Sequence, residues 1–397
     1  MDKIWFVHDI VPLNEKTDLA RLFYVQETDL YDGQESIVKT LFTEVSKGYD
    51  KCVGTFVKIE NNDMVPANTY PLAKKAFFLS NIYRGKLLNR YEENETDMKQ
   101  GISIKYSYHV NVGHGNCSIV VAKSEEQYQI WMIDCSNYDY LNRQEYTPNI
   151  EKAISYIVSK FKLPNFKIAK FFLTHYHYDH YSGINWLMSH DYLSNAEIWM
   201  NFHYSWPEPK FIRLLKSLNS LKCLFREPKV SNSTNVINIW YPTETIVRSL
   251  TQKYFNLRNI RQENNPNNSS AVIQLGTKNQ SIVFPGDIET SGLNRITKCK
   301  GYLNNAKFYC ISHHGSQNGH ERTNCPLGRR LSNMSDCCSR ISKAILMGRE
   351  GAYSGIYASQ VIQDFGGKIV FSERDDNNCQ VAFVEIDLST SNVIYPP

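Results

Sequence analysis

The sequence predicts an α/β protein, and three observations carry that reading. Beyond residue 100, short apolar runs alternate with amphipathic stretches. Acids and histidines stand where several of those apolar runs end, and a histidine cluster interrupts one strand-to-helix transition. At 397 residues the chain is long enough for two domains or one large one. We place a boundary near residue 100, separating an N-terminal region (1–100) from the chemistry-bearing remainder (101–397).

In chain order, Ile4–Val7 reads as a strand. Ile37, Val38, Leu41, Phe42 and Val45 recur at helical spacing with Gly48 as C-cap, which predicts a helix. Gly54–Ile59 is strand-like, and the polar stretch Tyr91–Asp97 reads as an exposed connection. Ser118–Ala122 and Gln129–Ile133 read as paired strands. Thr147 then caps a helix with Pro148 at its first position and Ile150, Ile154, Ile157, Val158 and Phe161 as its buried stripe. Ile168–Leu173 is a short, mostly apolar strand, and Ile184, Leu187 and Met188 open another helix. Glu197–Met200 is a strand and Phe211–Leu221 a helix, while Asn264–Ser270 is a loop. Ser281–Phe284, Lys307–Ile311, Lys343–Met347, Lys368–Phe371 and Val381–Ile386 are further strands. The helix Ala358–Phe365 closes on Gly366-Gly367.

Composition excludes several classes. Apolar content of 42% is ordinary for a globular chain, and a net charge of +4 permits a nucleic-acid partner without arguing for one. Acids and a histidine interrupt the apolar N-terminal stretch, so it is not expected to be a signal peptide. No window approaches the roughly eighteen uninterrupted apolar residues of a membrane span. The 10 cysteines show no CxxC spacing, and several lie in apolar runs. We expect a cytoplasmic protein with reduced thiols.

The chemistry gathers at Thr174–Gly183, where His175, His177, Asp179 and His180 form an HxHxDH cluster. A surface or capping role suits a single histidine, not this spacing. Neutral imidazole suits zinc, and the carboxylate widens the choice to harder ions such as manganese. The ligands sit on a tight strand-to-helix turn that can fan side chains around two ions. Further candidates stand at strand ends: Asp134 after Trp131-Met132-Ile133, Asp287 after Phe284-Pro285-Gly286, and His313-His314 before Gly315-Ser316. Strand ends share one rim of a sheet, so separate loops can converge there on rigid supports.

With these motifs in this order, the chain resembles the metallo-β-lactamase superfamily. The likeness is strongest to the hydrolase domain of bacterial DNA-uptake competence proteins and its stand-alone relatives. It rests on Asn111–Asn116, the cluster at 175–180, Asn267–Ser270, Phe284–Glu289 and Ser312–Ser316, and covers roughly residues 103–387. The resemblance implies an αββα sandwich with a binuclear site at one edge, so the remainder reads as a hydrolase domain carrying an additional N-terminal region. It implies two divalent ions per chain, zinc first and manganese as the other choice. His175 and His177 would bind the first, and Asp179, His180 and one histidine of the pair 313/314 the second, with Asp287 bridging; His314 is favoured because it directly precedes Gly315-Ser316. Asp134 would be a buried acceptor orienting the ligand loop, and His313 a proton donor or outer-sphere partner. Asp179, Asp134 and His313 are thus the catalytic candidates beside the ligands.

Two departures stand out. The competence branch usually shows Gly-Gln-Gly-Asp where this chain has Gly113-His114-Gly115-Asn116, which removes an acid and adds an imidazole that can face the site. The superfamily's third histidine on the first metal has no obvious counterpart, and His203 is the candidate.

The resemblance implies hydrolysis by water activated between two metals. Arg322, Arg329, Arg330, Arg340 and Lys343 follow the last ligand motif with only Glu321 and Asp336 opposing them. That basic loop fits a phosphodiester backbone, so the leading reading is a phosphodiesterase or nuclease acting on DNA or RNA. The alternatives are a hydrolase of small esters, thioesters, lactones or cyclic nucleotides, or a partner-gated component whose residues 1–100 dock another protein through Tyr- and Phe-rich surfaces.

Overall fold

The computed structural model describes residues 3–31, 39–49, 52–61, 63–67, 70–88, 101–125, 127–201, 206–243, 266–277, 280–299, 306–320 and 341–397. The chain divides into two compact units. One comprises Met1–Tyr91, Phe202–Lys222 and Val247–Asn265, and the other comprises Glu92–Asn201, Cys223–Ile246 and Pro266–Pro397.

In the first unit, β1 (Trp5–Pro12), β2 (Thr17–Tyr24), β3 (Thr40–Ser46), β4 (Phe56–Glu60) and β5 (Asp63–Pro66) form an antiparallel sheet in the order β3-β2-β1-β4-β5. Helices α1 (Glu27–Tyr31), α2 (Pro71–Leu88) and α6 (Pro209–Ser220) accompany it. The helix expected through Leu41, Phe42 and Val45 is a strand, β3, while Ile37 and Val38 lie outside the described residues. Thr40, Thr43 and Val45 are β-branched, and the ladder to β2 (Leu22↔Leu41, Asp18↔Val45) supplies the backbone partners that decide the matter. Later in the chain, Phe202–Lys222 returns to this unit. Trp206 makes an edge contact with Phe6 at 5.0 Å between ring centroids, and Ser80 Oγ donates to its carbonyl at 3.2 Å.

The second unit holds two sheets. The larger runs β13-β12-β11-β8-β7-β6-β20-β21. Its strands are β6 (Ser103–Val110), β7 (Cys117–Lys123), β8 (Tyr128–Cys135), β11 (Ile168–Phe172), β12 (Glu197–Trp199), β13 (Leu224–Arg226), β20 (Phe383–Asp387) and β21 (Val393–Ile394). A short hairpin of β9 (Tyr138–Asp139) and β10 (Gln144–Glu145) leads into helix α3 (Thr147–Phe161). The other sheet runs β14 (Ile237–Tyr241), β15 (Val272–Thr277), β16 (Gln280–Phe284), β17 (Phe308–Cys310), β18 (Lys343–Leu346) and β19 (Ile369–Phe371) in sequence order.

Alternation along the strands explains the layering. Ile282 and Phe284 face the inter-sheet core with Val120, Trp131, Ile133, Phe172, Trp199, Ile273 and Ile345. Val283 faces the opposite way, onto Leu293 and Ile296 of α7 (Thr290–Cys299) and Val361 and Phe365 of α8 (Ser359–Phe365). Ile150, Ala153, Ile154 and Ile157 form the buried stripe of α3, whose Tyr156 meets Tyr108 of β6 across 6.2 Å. Each fully buried core side chain contributes about 1.5–3 kcal/mol. The result is a helix–sheet–sheet–helix sandwich. Among the described residues no helix is long and apolar enough to cross a membrane.

Candidate metal centre

Parallel strands point their carboxyl ends at one rim, where α/β sheets place their ligand sites. At that rim β8 delivers Asp134, β11 delivers Thr174 and His175, β16 delivers Asp287, and β17 delivers His313 and His314. Between β11 and β12 the chain turns through α4 (Tyr178–Tyr181) and α5 (Ile184–Ser189), which carry Asp179, His180 and the apolar residues that anchor them. Gly286 permits the approach of the Asp287 loop: its φ is +57°, and a Cβ there would lie 2.8 Å from the Thr174 side chain. Asp134, His313 and His314 also occupy left-handed backbone (φ 52°, 50° and 52°), which costs on the order of 1–3 kcal/mol each and marks an over-determined site.

Among the described residues two donor groups result. Asp179, His180, Asp287 and His314 form one, and His175, His177 and Asp287 the other; within each group the ligand atoms lie within 4.8 Å of one another, and every member is buried. Asp287 is common to both. The outer ring nitrogens are spoken for. His180 Nδ1 donates to Asp134 Oδ2 at 2.7 Å, and His314 Nδ1 to the Met347 carbonyl at 3.2 Å. This turns both Nε2 atoms inward as donors for a cation, the arrangement metal-ligating histidines adopt. The Nε2 atoms of His175, His180 and His314 and Oδ1 of Asp287 are buried without a well-formed hydrogen bond. Buried polar atoms in that condition call for a partner.

Spacing points the same way. His180 Nε2 lies 3.3 Å from Asp287 Oδ2, His314 Nε2 lies 3.4 Å from the same oxygen, and His314 Nε2 lies 3.5 Å from Asp179 Oδ2. Charge-assisted N–H···O bonds are shorter, near 2.7–2.9 Å. Two donors held at about 2.0–2.2 Å by one ion stand about 3.0–3.6 Å apart at angles between octahedral and trigonal. The residues fit a divalent cation.

Charge explains why. Burial opposes ionisation of Asp287 and Asp179, yet the imidazoles of His180 and His314, with His114 beside Asp179, hold both carboxyls well below the usual range. Burial likewise opposes a charged His314, but Asp287 and Asp179 outweigh it and raise its pKa to about 9. His180 is raised well above its ordinary value for the same reason, by Asp287 and Asp134. His175 moves the other way, lowered by burial and by His180. The carboxylates demand positive charge, which a cation supplies without protonating the ligands.

Asp134 lies beneath the ligands. Its Oδ1 accepts from the Thr174 N–H at 2.8 Å, and its Oδ2 accepts from Thr174 Oγ1 at 2.8 Å as well as from His180. His313 is not brought into the cluster. Its ring sits 3.8 Å from Glu289 Oε1 and 3.4 Å from Asn267 Nδ2, at the rim. His203, Arg322, Arg329, Arg330 and Arg340 lie outside the described residues. Of the tyrosines interleaving the ligands, Tyr176 and Tyr181 are buried, and Tyr178 is half-buried against Tyr140 at 4.5 Å.

Several residues support the site through contacts that the spacing of the sequence does not show. Glu289 accepts from the side-chain amides of Asn267, Asn268 and Asn318, and so organises Asn267–Ser270 as a buried turn. Ser270 Oγ accepts from the Asp287 N–H at 3.1 Å. Arg349 reaches Asp139, which also accepts from the His114 N–H. A family model described as the metallo-beta-lactamase superfamily matches residues 110–322, more than half of the chain. No curated protein matches it.

Proposed function

Because the chain belongs to the metallo-β-lactamase superfamily, a group made up mostly of metal-dependent hydrolases, we propose that it is a two-metal phosphodiesterase acting on DNA or RNA. The observation that carries this reading is the pair of buried donor groups sharing Asp287. Those residues would hold divalent cations, zinc or manganese, whose chemistry would be to polarise an electrophile's oxygens and to lower the pKa of water from 15.7 to about 7. The chain's own residues do the rest. Asp134 fixes the Nδ1 proton of His180, and the Met347 carbonyl fixes that of His314, so each ring keeps an inward lone pair. His313 stands at the rim beside Glu289, where its ring can pass a proton to a leaving oxygen. No serine or cysteine nucleophile is required.

The polymer preference rests on two further observations. The sequence concentrates Arg322, Arg329, Arg330, Arg340 and Lys343 just after the His314 loop, a composition suited to phosphate contacts. Tyr138, Tyr140 and Tyr178 form a half-buried chain of edge contacts at 4.9 and 4.5 Å near the ligand turn, a surface on which bases can stack. The test is cleavage of labelled single- and double-stranded DNA and RNA by the full chain loaded with zinc or manganese. Metal-dependent cleavage, lost in a His177→Ala, Asp179→Ala double variant, is expected. A metal-loaded protein that cleaves none of these polymers would refute the polymer preference.

A further inference from the structure

We propose that His114 is an additional nitrogen donor to the cation site formed by Asp179, His180, Asp287 and His314; this rests on the metal-binding reading above. The key observation is spacing. His114 Nε2 lies 3.5 Å from Asp179 Oδ2, the same distance at which His314 Nε2 approaches that oxygen. The two imidazoles converge on one carboxylate oxygen, with ring centroids 4.2 Å apart. A hydrogen bond between a histidine and a carboxylate at this depth would close to about 2.7–2.9 Å. A separation of 3.5 Å is instead what two ligands of one ion keep.

The turn that carries His114 is built to hold that placement. The His114 N–H donates to Asp139 Oδ2 at 3.0 Å, and Arg349 Nε donates to the same oxygen at 2.9 Å. Asp139 is fully buried. On the other side the Asn116 N–H donates to the Asp179 carbonyl at 3.0 Å, tying the turn to the residue that His114 faces. Gly115 permits that approach, since a Cβ there would lie 2.7 Å from the Asp179 carbonyl oxygen. Tyr353 packs edge-on to the His114 ring at 4.9 Å and limits its rotation. A ring kept only for packing needs none of this anchoring to Asp179.

The consequence is an asymmetric centre. With His114 the group of Asp179, His180, Asp287 and His314 would have five protein donors, against three among the described residues in the group of His175, His177 and Asp287. Sites closed by protein ligands are structural, and sites with open positions are where chemistry occurs. Substrate would therefore meet the His175–His177 side.

The test is a cobalt(II) titration of the metal-stripped full chain, followed by visible absorption and by competition with a chelator. It compares the native protein with His114→Phe, which keeps a ring against Tyr353, and with His114→Gln. We expect the tighter of two cobalt affinities to fall roughly 10–100-fold in both variants, at least the loss seen for outer partners of ligating histidines. We also expect stronger absorption as that site loses a donor. Variants that melt like the native apoprotein and keep both affinities would overturn the proposal while leaving the metal reading intact. Native protein that binds no cobalt would overturn the metal reading itself. If the variants fail to fold, hyperfine-shifted ring N–H signals of the native cobalt protein decide. Counted in a His203→Asn background, five ligating histidines support the proposal, and four overturn it.

Discussion

Replacing Asp134 by Asn keeps the side chain's shape and removes its charge. In the native protein this carboxylate serves three donors: the Thr174 N–H at 2.8 Å, Thr174 Oγ1 at 2.8 Å and His180 Nδ1 at 2.7 Å. An amide has one acceptor oxygen, so it can serve the Thr174 N–H or His180 from its present position, not both. If its oxygen keeps the Thr174 N–H, its NH₂ faces the His180 Nδ1–H and the ring loses the acceptor that turns its lone pair inward. A hydrogen bond involving a charged group is worth about 1.5–3 kcal/mol. At about 1.4 kcal/mol per tenfold, that is on the order of 10–100-fold in affinity for the cation His180 holds. Chelator competition with zinc, run beside circular dichroism of the apoprotein, measures it. A natively folded Asp134→Asn protein with unchanged affinity would refute the orienting role.

Three other outcomes follow from the packing and the buried charges. Phe172→Ala opens the inter-sheet core and should cost about 3–5 kcal/mol in urea unfolding; a loss under 1 kcal/mol would contradict its place in that core. Gly286→Ala meets both a positive φ and the Thr174 side chain at 2.8 Å, so it should destabilise by more than about 1 kcal/mol; an unchanged melting temperature would argue against the close approach. His109 is fully buried between Ser118 and Ser107, and burial lowers its pKa to about 3. The unfolded chain takes up a proton there near pH 6.5 that the folded chain refuses, so stability falls as pH drops from about 6.5 toward 3. Between pH 7 and pH 5 the loss from this group is about 2 kcal/mol. A His109→Gln protein should lack that portion of the pH dependence, and an unaltered slope would count against it.

Much of the site could be read from the chain because its chemistry is local. His175, His177, Asp179 and His180 fall within six residues, and Asp134, Asp287 and His314 each follow an apolar run. What the sequence could not decide depended on partners far away. The choice between His313 and His314 turns on the left-handed backbone at both residues and on the Met347 carbonyl, 33 residues from His314. The link from Arg349 to Asp139 spans 210 positions and leaves no periodic trace. Leu41, Phe42 and Val45 suit a helix face as well as a strand, and only the β2 ladder separates the two. The return of Phe202–Lys222 to the N-terminal unit rests on contacts such as Trp206 with Phe6, again invisible to spacing.

The buried histidines and carboxylates at the strand ends should hold divalent cations. Elemental analysis of the purified full chain beside the His177→Ala, Asp179→Ala variant tests this directly. About two divalent ions per native chain are expected, as in two-metal hydrolases, with a marked loss in the variant. Native protein that stays metal-free after reconstitution with zinc and manganese, or a folded variant with undiminished metal content, would contradict it.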